Sequence, residues 1–246
     1  MCSKSISGFH WQSLASCRRF ALTRAVRAVF VSLLILSTGC VPAQATALGT
    51  VTLQLKWTHA FQFAGYYAAK ELGYYRDAGL DVDIVEAPPG RDPLDSVLEG
   101  RAQFGVGTCN LLLARQAGHP VVVLAVIYQH SPLVLVARQN HALRGVHDLV
   151  DKRVMIEPQS QELLACLKQE GVPVERLDQV VHSHDSADLI RGDVDAMSAY
   201  VTHEPFYLDH AGLPYQVHTP RTGGIDFYGD NLFTTEQEIA RNPARV

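Results

Sequence analysis

A chain of 246 residues with 47% hydrophobic and 19% charged residues can bury a core, which excludes a globally disordered polymer. The formal net charge of -4 is unevenly spread: residues 1–45 carry Lys4, Arg18, Arg19, Arg24 and Arg27 and no acid, and removing those five from the 21 basic residues leaves 16 against 25 acidic ones. A body near -9 excludes electrostatic capture of nucleic acid or of an anionic membrane, whose phosphates it would repel.

The basic start reads as an export signal. An apolar run at residues 28–36 follows Arg27, and Ala43-Gln44-Ala45 matches the small-x-small cleavage rule. The run is short for a bilayer span. Gly39-Cys40 offers a lipid-anchored alternative, although Ser37 stands where a lipobox prefers leucine. Of five cysteines, Cys2, Cys17 and Cys40 lie in this segment. Cys109 and Cys166, left in the body, form neither a disulfide framework nor a zinc-ligand spacing and read as small buried hydrophobes.

The body alternates strand and helix signals. Val51, Leu53, Leu55 and Trp57 alternate with polar residues and predict a strand; residues 60–72 predict a helix stopped by Gly73. Leu80, Val82 and Ile84 predict a second strand. Asp92-Pro93 opens a helix that closes at Gly100. Residues 104–107 read as a strand and 110–117 as a helix. The continuous apolar run 121–128 reads as a buried parallel strand. A second series follows: strands at 133–137 and 153–156, a helix at 161–169, and Val180-Val181 leading to 185–190. A strand at 196–201, a helix at 204–210 and a last clear strand at 215–218 complete it. Thr234-Thr235-Glu236-Gln237-Glu238 carries a capping signature for one more helix.

Such alternation predicts α/β architecture with mostly parallel sheets flanked by helices, and two series predict two lobes. The expected plan is a signal peptide at 1–45, one lobe at 46–131, a second at 132–218, and a return to the first at 219–246. A helix just begun at the last residue leads us to expect further C-terminal helices on a longer chain. Ligands of such sheets bind at the carboxyl ends of strands, here in the cleft between lobes.

Gly65-Tyr66-Tyr67-Ala68-Ala69, Gly73-Tyr74-Tyr75, Ala78-Gly79-Leu80-Asp81-Val82, Gly100-Arg101-Ala102-Gln103-Phe104-Gly105-Val106, Gly118-His119-Pro120-Val121 and Gly192-Asp193-Val194-Asp195-Ala196 together resemble the periplasmic binding-protein-like family that includes thiamine-pyrimidine and sulfonate binders. The resemblance runs from about residue 50 to 246. It implies a type 2 two-lobed fold and a partner in the membrane, a transporter permease. Gln129-His130-Ser131-Pro132-Leu133 and residues 226–231 are also similar to a branch used as extracytoplasmic input domains, whose partner is a membrane signalling module.

Some members of the family are thiamine pyrimidine synthases that consume pyridoxal phosphate and one of their own histidines. In them a lysine, with a histidine four residues on, follows the Gly-hydrophobic pair after the third strand. Here Gly107 and Leu111 occupy those positions and no cysteine follows Cys166, so the cysteine-rich run is absent as well. Glycine cannot form the Schiff base that an amine supplies. A binder without cofactor is therefore expected, pyridoxal phosphate belonging only to the enzyme alternative.

The resemblance implies a planar ring held by aromatic walls and an acid, as in a thiamine-precursor pyrimidine. Trp57 suits the first wall and equally suits a core tryptophan. Gln62, Phe63 and Tyr66 follow it, with Gln62 and Tyr66 on one helix face. Thr108 and Asn110 sit at a helix start, where they suit a polar group or an ordinary cap. Glu204 is the leading acid, with Tyr200 as second wall and Glu157 a similar acid; Asp226, Tyr228, Asp230 and Asn231 lie at the return crossing. A sulfonate or taurine-type anion is the alternative ligand. His182, His184 and His203 lack a metal-ligand spacing.

Overall fold

The structure, a computed structural model, describes residues 49–140 and 142–246. The expected signal peptide, cleavage site and Cys40 lie outside the described residues. Two five-stranded sheets form. The first contains β1 (Gly49–Gln54), β2 (Leu80–Val85), β3 (Phe104–Gly107), β4 (Val121–Tyr128) and β10 (Gly229–Thr235), in the order β2-β1-β3-β10-β4. The second contains β5 (Leu133–Arg138), β6 (Arg153–Ile156), β7 (Asp178–Val181), β8 (Ala196–Tyr200) and β9 (Tyr215–His218), in the order β7-β6-β8-β5-β9. Helices flank them: α1 (Ala64–Glu71), α2 (Tyr74–Asp77), α3 (Pro93–Leu98) and α4 (Asn110–Gln116) in the first lobe, and α5 (Gln161–Gln169), α6 (Ala187–Arg191) and α7 (Glu204–His210) in the second; α8 (Glu236–Arg241) follows β10.

The two-lobed α/β expectation is met, with sheets that are mixed. In the first, β1 pairs parallel with β2 and β3, while β10 runs antiparallel to β3 and β4. In the second, β6 pairs parallel with β7 and β8, and β5 runs antiparallel to β8 and β9. Residues 121–128 are not a buried parallel strand. β4 is an antiparallel edge strand, and its residues alternate between covered and exposed, with Val123 and Ile127 nearly half exposed. An unbroken run of apolar residues records what the strand is made of, and carries no information on which neighbours it acquires.

A second correction concerns β10, a central strand that follows the segment read as the last clear one. Gly229-Asp230-Asn231 has turn composition, and Asp230 takes a left-handed φ of 48°. The strand is buried nonetheless, because Phe233 fills the face packed against Val97, Leu111 and Val121. The local signals held where their chemistry is explicit. Asp92 caps α3 by accepting from the Leu94 N–H at 2.9 Å, and Thr235 caps α8 by accepting from the Glu238 N–H at 3.2 Å. The strand expected through Trp57 stops at Gln54, although the Leu55 N–H still donates to Val85 O at 2.8 Å and Trp57 O accepts the Ala87 N–H at 3.2 Å.

Each lobe has its own core. In the second, alternate residues of β5 face opposite ways: Leu133, Leu135 and Ala137 meet Leu163 and Leu167 of α5, while Val134 and Val136 meet Leu189 of α6 and Leu208 of α7. In the first, Val51, Leu53, Val82, Ile84, Phe104 and Val106 pack with Phe63. Gly105 leaves room for the Phe233 ring; a Cβ there would lie 2.5 Å from Phe233 Cε1.

The chain crosses between lobes twice, at 129–132 and at 219–228. The crossings lie side by side: Gly229 pairs with Tyr128, and the Ser131 N–H donates to Phe227 O at 2.8 Å. A Cβ at Gly229 would stand 3.0 Å from Pro132 Cδ and 3.2 Å from Ser131 Cα, so glycine permits this approach. Two adjacent extended crossings are a hinge in geometry, able to bend with small backbone changes.

Candidate functional site

The chain leaves β1 at Gln54 and turns Lys56 and Trp57 towards the second lobe. Lys56, 2% exposed, places Nζ 3.5 Å from both carboxylate oxygens of Glu157, which follows β6. The same ammonium stands 4.4 Å from the centroid of the Tyr200 ring at the end of β8. Tyr200 donates its hydroxyl to Asp230 Oδ1 at 2.6 Å, returning the network to the first lobe. Glu204, at the start of α7, accepts the Tyr200 backbone N–H at 2.6 Å. Gln62 reaches Asp230 Oδ2 at a long 3.5 Å.

Three buried carboxylates thus surround one ammonium. Burial alone would lower the Lys56 pKa, but Glu157, Asp230 and Glu204 together hold it above the ordinary lysine value. Burial pushes Glu204 up to about 7 against the opposing Tyr200 N–H. Burial also raises Asp230, with Lys56 and the Tyr200 hydroxyl opposing. Tyr200 itself is pushed well above the ordinary phenol value by burial and by Asp230.

Trp57 packs across the lobes against two histidines. Its ring is stacked on His184 with centroids 3.8 Å apart, and meets His182 edge-on at 4.9 Å. His182 donates from Nε2 to Ser198 O at 2.9 Å and accepts the His184 N–H on Nδ1 at 3.0 Å, so both nitrogens are used in its neutral form. Ser198 Oγ in turn accepts the Glu157 N–H at 3.0 Å. A further bridge runs from the Thr108 hydroxyl to Gln159 O at 2.8 Å. Between Lys56, Trp57 and Gln62 of one lobe and Glu157, Ser198, Tyr200 and Glu204 of the other, about 10 Å³ of space remains. The cleft is shut on its own side chains.

Six of the residues singled out from sequence gather here: Trp57, Gln62, Glu157, Tyr200 and Glu204 line the gap, and Asp230 holds the Tyr200 hydroxyl. Thr108 joins the lobes beside them. Phe63 does not reach the cleft; it is fully buried in the first lobe's core, because the 3₁₀ turn at Phe61–Phe63 rotates it inward. Tyr66 packs against the same core with its hydroxyl buried and unpartnered. Asn110 serves local structure, donating to Asp92 Oδ2 at 2.7 Å and accepting the Thr108 N–H at 3.2 Å. Asp226 pairs with His130 at 2.7 Å across the hinge, well exposed to water. Tyr228 lies on an outer apolar groove of about 550 Å³ with Leu112, Val123 and Phe227. That groove is larger than the cleft, but it lacks the cleft's convergent buried charges.

Sequence reasoning missed Lys56 and Ser198 and did not foresee that His182 and His184 meet Trp57. The signal for Lys56 was its place: a charged residue between Leu55 and Trp57, in an otherwise apolar strand end.

A protein-family model described as NMT1/THI5 like matches residues 60–246. The riboflavin-binding protein RibY of Chloroflexus aurantiacus is 28% identical over 214 residues, 83% of this chain and 60% of its own length. The formylaminopyrimidine-binding protein of Halalkalibacterium halodurans is 26% identical over 211 residues, 81% of this chain and 62% of its own. The chain therefore spans about three fifths of the curated relatives it matches. Among solved structures, the alkanesulfonate-binding protein SsuA from Xanthomonas axonopodis pv. citri superposes with a TM-score of 0.59 at 19% identity, over 79% of this chain and 68% of that one. That likeness speaks to the fold, and the family match to descent: the chain belongs to the NMT1/THI5-like family.

Proposed function

We propose that the protein is an extracytoplasmic solute-binding protein whose lobes close around a planar, amino-bearing heteroaromatic molecule of the thiamine-precursor pyrimidine class. The observation that carries this reading is the composition of the cleft, where two aromatic rings and three carboxylates from both lobes converge on one point. A flat ring finds apolar walls in Trp57 and Tyr200. Its exocyclic amino group finds acceptors in Glu157, Glu204 or Asp230. The relatives named for riboflavin and formylaminopyrimidine bind flat nitrogen heterocycles, which agrees in kind.

A sulfonate fits this cleft poorly. Its one buried cation, Lys56, is already paired and outnumbered three to one by carboxylates. The mechanism is binding with closure. A solute that touches both lobes stabilises the shut form, and a membrane permease recognises that form as its partner. No residue of this cleft is assigned a chemical step.

The test is thermal unfolding with hydroxymethylpyrimidine, formylaminopyrimidine, thiamine, riboflavin, taurine, an alkanesulfonate and pyridoxal phosphate. A ligand at 100 times its dissociation constant adds about 2.7 kcal/mol. Stabilisation by a pyrimidine is the expected result. Stabilisation by taurine or the sulfonate alone would replace the ligand class, and stabilisation by pyridoxal phosphate alone would return the enzyme reading.

A further inference from the structure

We infer that Lys56 determines specificity by standing in for the solute: its ammonium holds the place that the donor-bearing edge of the solute takes, and the solute must displace it. This rests on the cleft being the solute site.

Three observations carry the inference. The first is geometry. Lys56 Nζ is equidistant, at 3.5 Å, from both Glu157 oxygens and 4.4 Å from the centroid of the Tyr200 ring, as a bound ammonium would be in an acidic and aromatic cage. The second is space. About 10 Å³ is less than a heteroaromatic ring needs and about the least that holds one water. A ring enters only if something leaves, and among the lining residues the lysine has the longest flexible stem. The third is what its departure uncovers. Tyr200 serves Glu204 through its N–H and Asp230 through its hydroxyl, and both bonds survive the loss of Lys56. Lys56 supplies the side-chain donor to Glu157, which is 5% exposed, so that carboxyl group would be left without a partner. An unpaired buried carboxylate is costly, so the newcomer must bring N–H donors of its own.

The solute class follows. An amine, amidine or aminopyrimidine replaces what it removes. An anion meets three carboxylates after expelling the one ammonium among them. The cleft thus rejects anions through its own lysine, because that lysine is already engaged.

The experiment is chemical rescue in the full chain. Lys56→Ala removes the three-carbon ammonium beyond Cβ, which propylammonium replaces. Unfolding midpoints of wild type and K56A are compared in propylammonium chloride and in sodium chloride at equal ionic strength. The expected result is saturable stabilisation of K56A by propylammonium, with no such effect on wild type. Equal shifts in both proteins would overturn the inference. Should K56A fail to fold, Lys56→Met keeps the stem's bulk without its charge, and solute affinity decides. Any aminopyrimidine that binds wild type should bind K56M about tenfold or more tighter, since the internal competitor is gone. Weaker binding would make Lys56 a direct contact and overturn the proposal. If no pyrimidine binds wild type, the ligand reading fails while the rescue still decides the role of Lys56.

Discussion

Trp57 of the first lobe and His184 of the second stack with ring centroids 3.8 Å apart and planes 30° from parallel. His184 holds that position at a left-handed φ of 65°, which a bulky L-residue adopts at a cost. Burial lowers its pKa to about 4, with His182 adding to the effect. A depressed histidine contributes stability above its unfolded value near 6.5, and that contribution is lost as pH falls through about 4. Acidification from pH 6.5 to 4 should therefore part the lobes. Trp57 and Trp11 are the chain's two tryptophans, so a Trp11→Phe background makes Trp57 emission a direct gauge. We expect a red shift in that window and its reduction in His184→Asn, since asparagine accepts the left-handed backbone and does not titrate, while His182, also depressed by burial and edge-on to Trp57, remains. An identical shift in H184N would assign the change elsewhere.

Glu204→Gln separates two roles of one carboxylate. The amide keeps an oxygen for the Tyr200 N–H, so the fold should hold. A solute amino group loses a charged acceptor, worth about 1–3 kcal/mol, or roughly 5- to 150-fold in affinity. Calorimetric titration with the best pyrimidine of the panel checks this, and unchanged affinity would leave Glu204 a purely structural residue.

Glu162 predicts a pH dependence of opposite sign. It lies buried at the start of α5, accepts the Ser131 hydroxyl from the hinge, and is pushed up to about 7 by burial. A carboxyl raised above its unfolded value near 4.5 favours the fold most while protonated. Its contribution is full below 4.5 and is lost as pH rises through about 7. The change is on the order of 1–3 kcal/mol. Urea unfolding between pH 5 and 8 should show Glu162→Gln gaining on wild type as pH rises. A constant gap would show that Glu162 ionises as freely folded as unfolded.

Two glycines should respond in opposite directions. Gly229→Ala forces a methyl against Pro132 and Ser131 at the crossing, and should cost about 1–3 kcal/mol. Gly65, inside α1 with nothing near its missing Cβ, should gain up to about 1 kcal/mol as alanine. Thermal melts of both variants decide, and a neutral G229A would mean the hinge strands can separate without strain.

The sequence made the lobes legible because local chemistry announces itself. Asp92-Pro93, the glycines after helices, and the alternation in β2 each need only their neighbours to be understood. β10 and the edge position of β4 were not legible, because both depend on pairing between segments about a hundred residues apart. The site divided in the same way. Trp57, Glu157, Tyr200 and Glu204 could be found because strand ends point into clefts. Phe63 misled because helical spacing does not say which face turns inward. Lys56 escaped because a buried lysine makes sense only once the acids of the other lobe are in place.

The position of β10 between β3 and β4 has a consequence for how the molecule is assembled in time. Val106 and Ala125 both pair with Leu232, and never with each other. The second sheet, by contrast, draws every strand from one continuous stretch, residues 133–218. As the polypeptide emerges, that stretch holds all its partners and can become cooperative early, while the first sheet waits as a trio and a stray ribbon until residues 229–235 slot between them. Long-range pairing of this kind is slow. Pulse-labelled amide exchange should accordingly find β5 and β8 protected before β3 and β4, so that the lobe begun second along the chain is the first to be completed.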